Sequence, residues 1–195
     1  MAKRVIAQVY SPAEDSWLLE ECILKADLQG KKCLDLGTGS GILAEALLRA
    51  GAENIFAVDV NPAALAAAKI RIGALKRTQN IGHFGKVKFV QSDLFSSLVR
   101  EKFDFIVFNP PYLPSDEIKW IDLDGGKKGR EVIEKFLAQF PNHLNKKAVV
   151  LLLLSSLNEP KEILARLKRQ GFSVGVAARK KLFFEELLVL RCIKE

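Results

Sequence analysis

Histidine is scarce in this chain: His83 and His143 are the only two among 195 residues, and they stand far apart. That scarcity argues against a histidine-based metal site and against Ser-His-Asp chemistry. Cysteine is scarce as well. Cys22, Cys33 and Cys192 are scattered without metal-ligand spacing, so no zinc site is expected within the chain. The same pattern favours a reducing, cytoplasmic setting over a disulfide framework. No run reaches the roughly 18 uncharged apolar residues of a membrane span. The longest candidate, AVVLLLLSSL (Ala148 to Leu157), reads as a central strand. The opening MAKRVIAQVYSP lacks the long apolar segment of a signal peptide. Low-complexity segments, internal repeats and linkers are absent.

What is present is ordinary in bulk. Hydrophobic residues make up 49% and charged residues 27%, values typical of a globular domain. The length suits one domain, residues 1–195, with 1–30 as an N-terminal lid or helix and 31–195 as the core. The formal charge of +7 gathers locally at Lys127-Lys128-Arg130, between Lys161 and Arg169, and at Arg179-Lys180-Lys181. A solvated basic surface is the simplest reading, with an affinity for nucleic acid as the alternative.

The hydrophobic pattern alternates between strands and helices. SPAEDSWLLEECILKA reads as a helix, with Ser11 and Glu14 at capping-box spacing and Pro12 at the first helical position. KKCLDLG, NIFAVDV, KVKFVQSDL, FDFIVF and AVVLLLLSS read as strands, interleaved with helices. Two further strands, SVGVAARKK and LFFEELLVLRCI, follow closely enough to form a hairpin. Such alternation predicts an α/β fold: a seven-stranded, mainly parallel sheet with one antiparallel strand and helices on both faces. Ligands of such sheets sit beyond the carboxyl ends of the strands.

The residues at those ends are polar and specific. DLGTGSG, Asp35 to Gly41, ends the first strand and runs into a helix. Its glycines let backbone approach a ligand, and the helix start offers free N–H groups. The spacing is G-x-G-x-G rather than the nicotinamide-type G-x-G-x-x-G, and Asp35 suits a cationic ligand better than a pyrophosphate. Asp59 ends the second strand, 18 positions after Gly41, near the interval at which an acidic residue reaches ribose hydroxyls. Asn61 can cap the helix that Pro62 begins, which leaves Asp59 free. Asp93 and Leu94 end the third strand, positioned to accept from and donate to an adenine edge.

The fourth strand ends in Asn109-Pro110-Pro111-Tyr112. Pro110 forces Asn109 out of the helical region, and both prolines fix φ and lack an N–H. The side-chain oxygen of Asn109 and the carbonyl of Pro110 can accept both hydrogens of a planar nitrogen, while Tyr112 offers a flat wall. That set suits methyl transfer to an amide or exocyclic amine.

Together these motifs resemble the class I, Rossmann-like S-adenosylmethionine-dependent methyltransferases. VYSPAEDSWLLEE, GGKKGREVIEKF and LFFEELLVL extend the likeness to the HemK-type glutamine methyltransferases, in particular the short archaeal and eukaryotic branch. The resemblance spans nearly the whole chain. It implies methylation of the glutamine in the GGQ loop of a class I release factor, an enzyme of translation termination. It further implies that Tyr10, Asp15 and Ser16 line the methionine end of the cofactor. Asp35, Gly37 and Gly39 would hold its amino-acid part, Asp59 the ribose, and Asp93 with Leu94 the adenine. Asn109, Pro110 and Tyr112 would hold the substrate amide, with Asn109 also beside the cofactor. A small zinc-binding activator protein is expected at the exposed edge strand KVKFVQSD, against Val87 and Phe89. One segment departs from the family pattern: Leu123-Asp124 stand where an aromatic residue is expected, ahead of Gly125 and Gly126, and Trp120 lies earlier. Gly125, Gly126 and Arg130 are expected to shape the substrate loop there.

Rival readings follow from the same residues. An adenine or guanine amine also fits N-P-P-Y, which makes a nucleic-acid methyltransferase the nearest alternative. Lysine methylation needs a base that the clamp lacks. A non-catalytic cofactor-binding module would have no use for Asn109 and Tyr112.

Overall fold

The computed structural model describes residues 9–78, 85–112 and 129–194. His83, Trp120, Leu123, Asp124, Gly125, Gly126, Lys127 and Lys128 lie outside the described residues. The elements run α1 (Glu14–Leu24), β1 (Lys32–Leu36), α2 (Ile42–Arg49), β2 (Asn54–Asp59), α3 (Pro62–Thr78), β3 (Lys86–Gln91) and β4 (Phe103–Phe108). They continue with α4 (Glu131–Gln139), β5 (Leu144–Ser155), α5 (Pro160–Arg169), β6 (Phe172–Lys181) and β7 (Glu186–Lys194).

The seven strands form one sheet in the order β3-β2-β1-β4-β5-β7-β6. Neighbours from β3 to β5 pair in parallel, and β7 runs antiparallel to both β5 and β6. The predicted fold class is therefore present, with β7 as its single reversed strand. Because β7 alone is reversed, β6 points the same way as β1 to β5, and its end lies on the carboxyl edge of the sheet. Among the described residues no helix is long and apolar enough to cross a membrane.

Period-two alternation distributes the strand side chains between two cores. On one face Leu34, Leu36, Phe56, Val58, Ile106 and Phe108 pack with residues of α4 and α5. On the other, Cys33, Ile55, Ala57, Phe105 and Val107 pack with residues of α1 and α2. A file of rings runs through the first core: Phe108 to Phe136 at 4.8 Å, Phe136 to Phe140 at 4.8 Å, Phe140 to Phe172 at 5.0 Å. Each such pair contributes roughly 0.5–1.5 kcal/mol beyond burial. The file ends at Phe108, directly before Asn109, and so gives the fourth strand end a rigid footing.

Two expectations need correction. Helix α1 begins at Glu14 rather than at Pro12, and its N-cap is Ala13 with no side-chain bond. No capping box forms from Ser11. The reason lies one turn in: the carboxylate of Asp15 accepts the backbone N–H of Ser16 at 2.6 Å and satisfies a first-turn donor from inside the helix. The final strand likewise starts at Glu186. Leu182 to Glu185 form the connecting turn instead, closed by Leu182 N–H donating to the Glu185 carbonyl at 2.8 Å.

Candidate active site

A crevice of about 490 Å³ opens beyond the carboxyl ends of β1, β2, β3 and β4, within the range of small-ligand sites. Tyr10, Asp15, Ser16, Gly37, Gly39, Asp59, Asp93, Leu94, Asn109, Pro110 and Tyr112 all line it. Asp35 does not. It is wholly buried (0% exposed), and its Oδ2 accepts from the Thr38 hydroxyl at 2.6 Å. Its Oδ1 is buried without a partner. Burial, partly offset by the Thr38 hydroxyl and the Ala44 N–H, pushes its pKa up to about 7.

The glycine loop is held from three sides. Thr38 N–H donates to the Val58 carbonyl at 2.8 Å. Gly39 N–H donates to Asp59 Oδ2 at 2.9 Å, and Arg71 Nε donates to the Ser40 carbonyl at 3.0 Å. Asp59 thus braces the loop across β1 and β2 and is less free than its position suggested. Asn61 does cap α3, its Oδ1 accepting from Ala63 N–H at 2.9 Å. Desolvation raises the pKa of Asp59, against the pull of its backbone N–H donors. Gly41 has φ 81° and leaves no room for a side chain, since an added Cβ would lie 2.8 Å from Ala68 Cα.

At the end of β3, Leu94 takes φ 47°, an unusual conformation for a residue with a side chain. Ser92 holds it: its hydroxyl donates to the Leu94 carbonyl at 2.9 Å and accepts from Ser97 N–H at 2.9 Å. Asp93 is consequently exposed at the rim while Leu94 is buried in the wall.

The decisive geometry surrounds Asn109. Its Nδ2 donates to Asp15 Oδ2 at 3.1 Å, and the Tyr10 hydroxyl donates to the same oxygen at 3.0 Å. Asp15 Oδ1 accepts the Ser16 N–H and, at 3.2 Å, the Ser16 hydroxyl. An ionised carboxylate has about four acceptor sites, so Asp15 is saturated, and it borders the crevice as a holder of Asn109. The other end of the amide, Asn109 Oδ1, is buried and unpartnered. Burial and the nearby Asp15 carboxylate raise the pKa of both Tyr10 and Tyr112 well above that of an ordinary phenol, so both stay neutral.

Residues 13–183 match the family described as methyltransferase small domain. The chain belongs to that family. It is 42% identical over 189 residues to a chain of Methanocaldococcus jannaschii named as a protein N5-glutamine methyltransferase, covering 94% of this chain and 90% of that one. It is 31% identical to the human Methyltransferase HEMK2, covering 100% and 94%. Among solved structures, the E. cuniculi Mtq2-Trm112 complex, described as responsible for methylation of the eRF1 termination factor, aligns with a TM-score of 0.75 and 30% identity. That alignment covers 96% of this chain and 99% of the other.

Several residues of this methyltransferase site are not singled out individually by the sequence, although three of them lie within GGKKGREVIEKF. Glu131, Val132 and Lys135 on α4 complete the crevice wall. Asn158 is fully buried and donates to the carbonyls of both Tyr112 and Gly129 at 2.9 Å. It ties the N-P-P-Y turn to the start of the segment that carries Arg130. Arg130 in turn pairs with Glu134 at 2.9 Å, Glu162 at 2.8 Å, and Glu159. The sequence singles out Arg130 for the substrate loop but gives no sign of these pairs.

Proposed function

We propose that this chain transfers a methyl group from S-adenosylmethionine to the side-chain amide nitrogen of a glutamine, the one in the GGQ loop of a class I peptide chain release factor. The observation that carries the reading is the Asn109 side chain, with Nδ2 held by Asp15 and Oδ1 buried and unsatisfied. A buried acceptor without a donor is costly and rare. A primary amide entering the crevice supplies the missing N–H.

The residues present fit the cofactor. The crevice is lined by apolar Leu36, Leu94 and Phe108 together with the acidic Asp15, Asp59 and Asp93, a mixture that suits a ligand with a flat base, a ribose and a charged amino acid. Bound there, S-adenosylmethionine supplies an electrophilic methyl on a sulfonium and departs as S-adenosylhomocysteine. Asp59 is the residue for the ribose hydroxyls, and Asp93 with Leu94 for the adenine edge. Gly37 and Gly39 bring backbone to the amino-acid end, with Tyr10 and Ser16 on the same side. Asp35, which does not line the crevice, would favour a cationic amine near the loop through its charge rather than by a direct bond.

The protein's own part is to hold and align. Asn109 Oδ1 and the Pro110 carbonyl accept the two amide hydrogens, and Tyr112 walls the planar group. Removing the nitrogen from full conjugation makes its lone pair available. Alignment of nucleophile and methyl contributes roughly 7–11 kcal/mol to such a reaction. The proton passes to water after the N–CH₃ bond forms and the S–CH₃ bond breaks, so no strong base is needed.

A small zinc-binding activator is proposed at β3. That strand is an edge of the sheet, with open backbone groups that a partner strand can pair. Val87 and Phe89 are half-buried there, and Lys69 Nζ lies 5.7 Å from the Phe89 ring.

The test is labelled methyl transfer to purified release factor, with and without the activator. A factor with its GGQ glutamine changed to alanine and a total RNA sample run in parallel. Label on the factor that disappears with the alanine change is expected. Label on RNA alone would replace this reading with nucleic-acid amine methylation.

A further inference from the structure

Phe183 and Phe184 occupy the β6–β7 turn with 92% and 87% of their surfaces in solvent. Two adjacent phenylalanines this exposed mark a surface kept for contact. They touch each other edge to face, with ring centroids 4.6 Å apart. The base of the turn is firmly held. Leu182 packs into the same core as Tyr112. The Glu185 carboxylate accepts from the Ser155 hydroxyl, Ser155 N–H donates to Asn158 Oδ1 at 2.9 Å, and Asn158 Nδ2 donates to the Tyr112 carbonyl. Glu186 N–H reaches the Ser156 hydroxyl at 3.0 Å, next to Leu157, which is 46% exposed. A continuous set of hydrogen bonds therefore fixes this aromatic tip relative to the N-P-P-Y turn. Because β6 ends on the carboxyl edge of the sheet, the tip stands on the side where the crevice opens.

We propose that the Phe183–Phe184 tip, with Leu157 and the adjoining Lys180 and Lys181, is a docking lip for the protein substrate. It would engage an apolar pocket with acidic groups beside it, on the protein that presents the target glutamine. This rests on the glutamine-methylation reading above. Charge calls for an acidic partner surface: Arg179 is paired with Glu186 at 3.5 Å, while Lys180 and Lys181 form no ion pair among the described residues. The hydrogen-bonded link to the N-P-P-Y turn makes the protein that presents the glutamine the occupant. Shape supports it too. A ring pair at 82° forms a knob that fits a pocket, not the open parallel platform on which nucleic-acid bases stack. The lip adds area away from the reacting amide, and so acts on substrate capture rather than on the chemical step.

The experiment compares the full chain, with its activator present, to the Phe183→Ser/Phe184→Ser double variant, using intact release factor as substrate. KM for the factor is expected to rise about tenfold or more, as when anchoring aromatics are lost from an interface. The rate at saturation and the affinity for S-adenosylmethionine are expected to stay unchanged, which also shows that the variant is folded. A Lys180→Glu/Lys181→Glu variant should raise KM in a salt-dependent way. An unchanged KM in the phenylalanine variant, with the wild type active on the factor, overturns the docking lip and leaves the function intact. A wild type that labels no release factor overturns the function, and the lip falls with it. Lost binding of RNA or of the activator, with KM for the factor unaltered, assigns the tip to that partner and overturns the proposal.

Discussion

Asn109 donates its side-chain amide to Asp15 across 94 positions of sequence, Nδ2 to Oδ2 at 3.1 Å. The contact joins the first turn of α1 to the end of β4 and decides which way the amide points. A carboxylate can only accept, so the NH₂ of Asn109 must face it and the oxygen must point away from it, where it is buried without a partner. Asp15→Asn removes that constraint, because an amide partner can accept or donate. Methyl transfer in a single turnover is expected to slow by roughly 10²-fold, the scale of a misplaced reacting group. Affinity for S-adenosylmethionine, measured by calorimetry, is expected to change little, since the acceptor sites of Asp15 are taken by protein donors. A large loss of cofactor affinity with an unchanged transfer rate would contradict this assignment.

Asn109→Ala tests the acceptor itself. The substitution deletes Oδ1 and leaves the glycine loop, Asp59 and Leu94 untouched. Cofactor binding should persist while the transfer rate falls by about 10²–10³-fold, the usual loss when one hydrogen bond to the reacting group is removed. The same preparation, saturated with cofactor and assayed with the release factor, gives both quantities. Retained activity would move the amide-holding role to the Pro110 carbonyl and Tyr112.

Gly41→Ala tests the packing behind the loop. Gly41 has φ 81°, and a new methyl would lie 2.8 Å from Ala68 Cα and 2.9 Å from Ala68 Cβ. Left-handed backbone costs a side chain about 1–2 kcal/mol, and the forced separation of α2 from α3 adds roughly 1–3 kcal/mol. Thermal unfolding should therefore shift down by several degrees. Cofactor affinity should fall with it, since Ser40 is held by Arg71 of α3 and the loop leads directly into α2. An unchanged melting temperature would show that the helices part at no cost.

Much of this was legible because the signals are local. Period-two runs such as FDFIVF depend on neighbouring residues only, and the glycines and prolines at the strand ends impose their own conformations. Convergence of Asp59, Asp93 and Asn109 on one crevice then followed from strand order. Partnerships between distant segments were not legible. Nothing near Asn158 announces a bond to Tyr112, and the saturation of Asp15 depends on Tyr10, Ser16 and Asn109 together. The start of α1 departs from the capping-box pattern for a related reason: Asp15, a crevice residue, also accepts a backbone N–H of its own helix. Asp35 looked like a crevice residue by spacing, yet the turn through Thr38 folds over it.

That buried position gives Asp35 a measurable pH signature. Its pKa stands near 7 in the folded chain against a model-compound value of 3.8. A carboxyl with a raised folded pKa binds more protons folded than unfolded across that interval. Stability is thus greatest at and below about pH 4 with respect to this group, and it declines as pH rises towards 7. Each pKa unit corresponds to about 1.4 kcal/mol, so the decline reaches up to about 4 kcal/mol. Asp35→Asn cannot ionise. The stability of the variant relative to wild type should rise between pH 4 and pH 7 and run level above that, in urea titrations at stepped pH. Saturating S-adenosylmethionine should flatten the wild-type slope, because a cationic amine near Oδ1 favours the ionised carboxyl and returns its pKa towards the ordinary range. A slope unaltered by the cofactor would confine Asp35 to shaping the loop through Thr38.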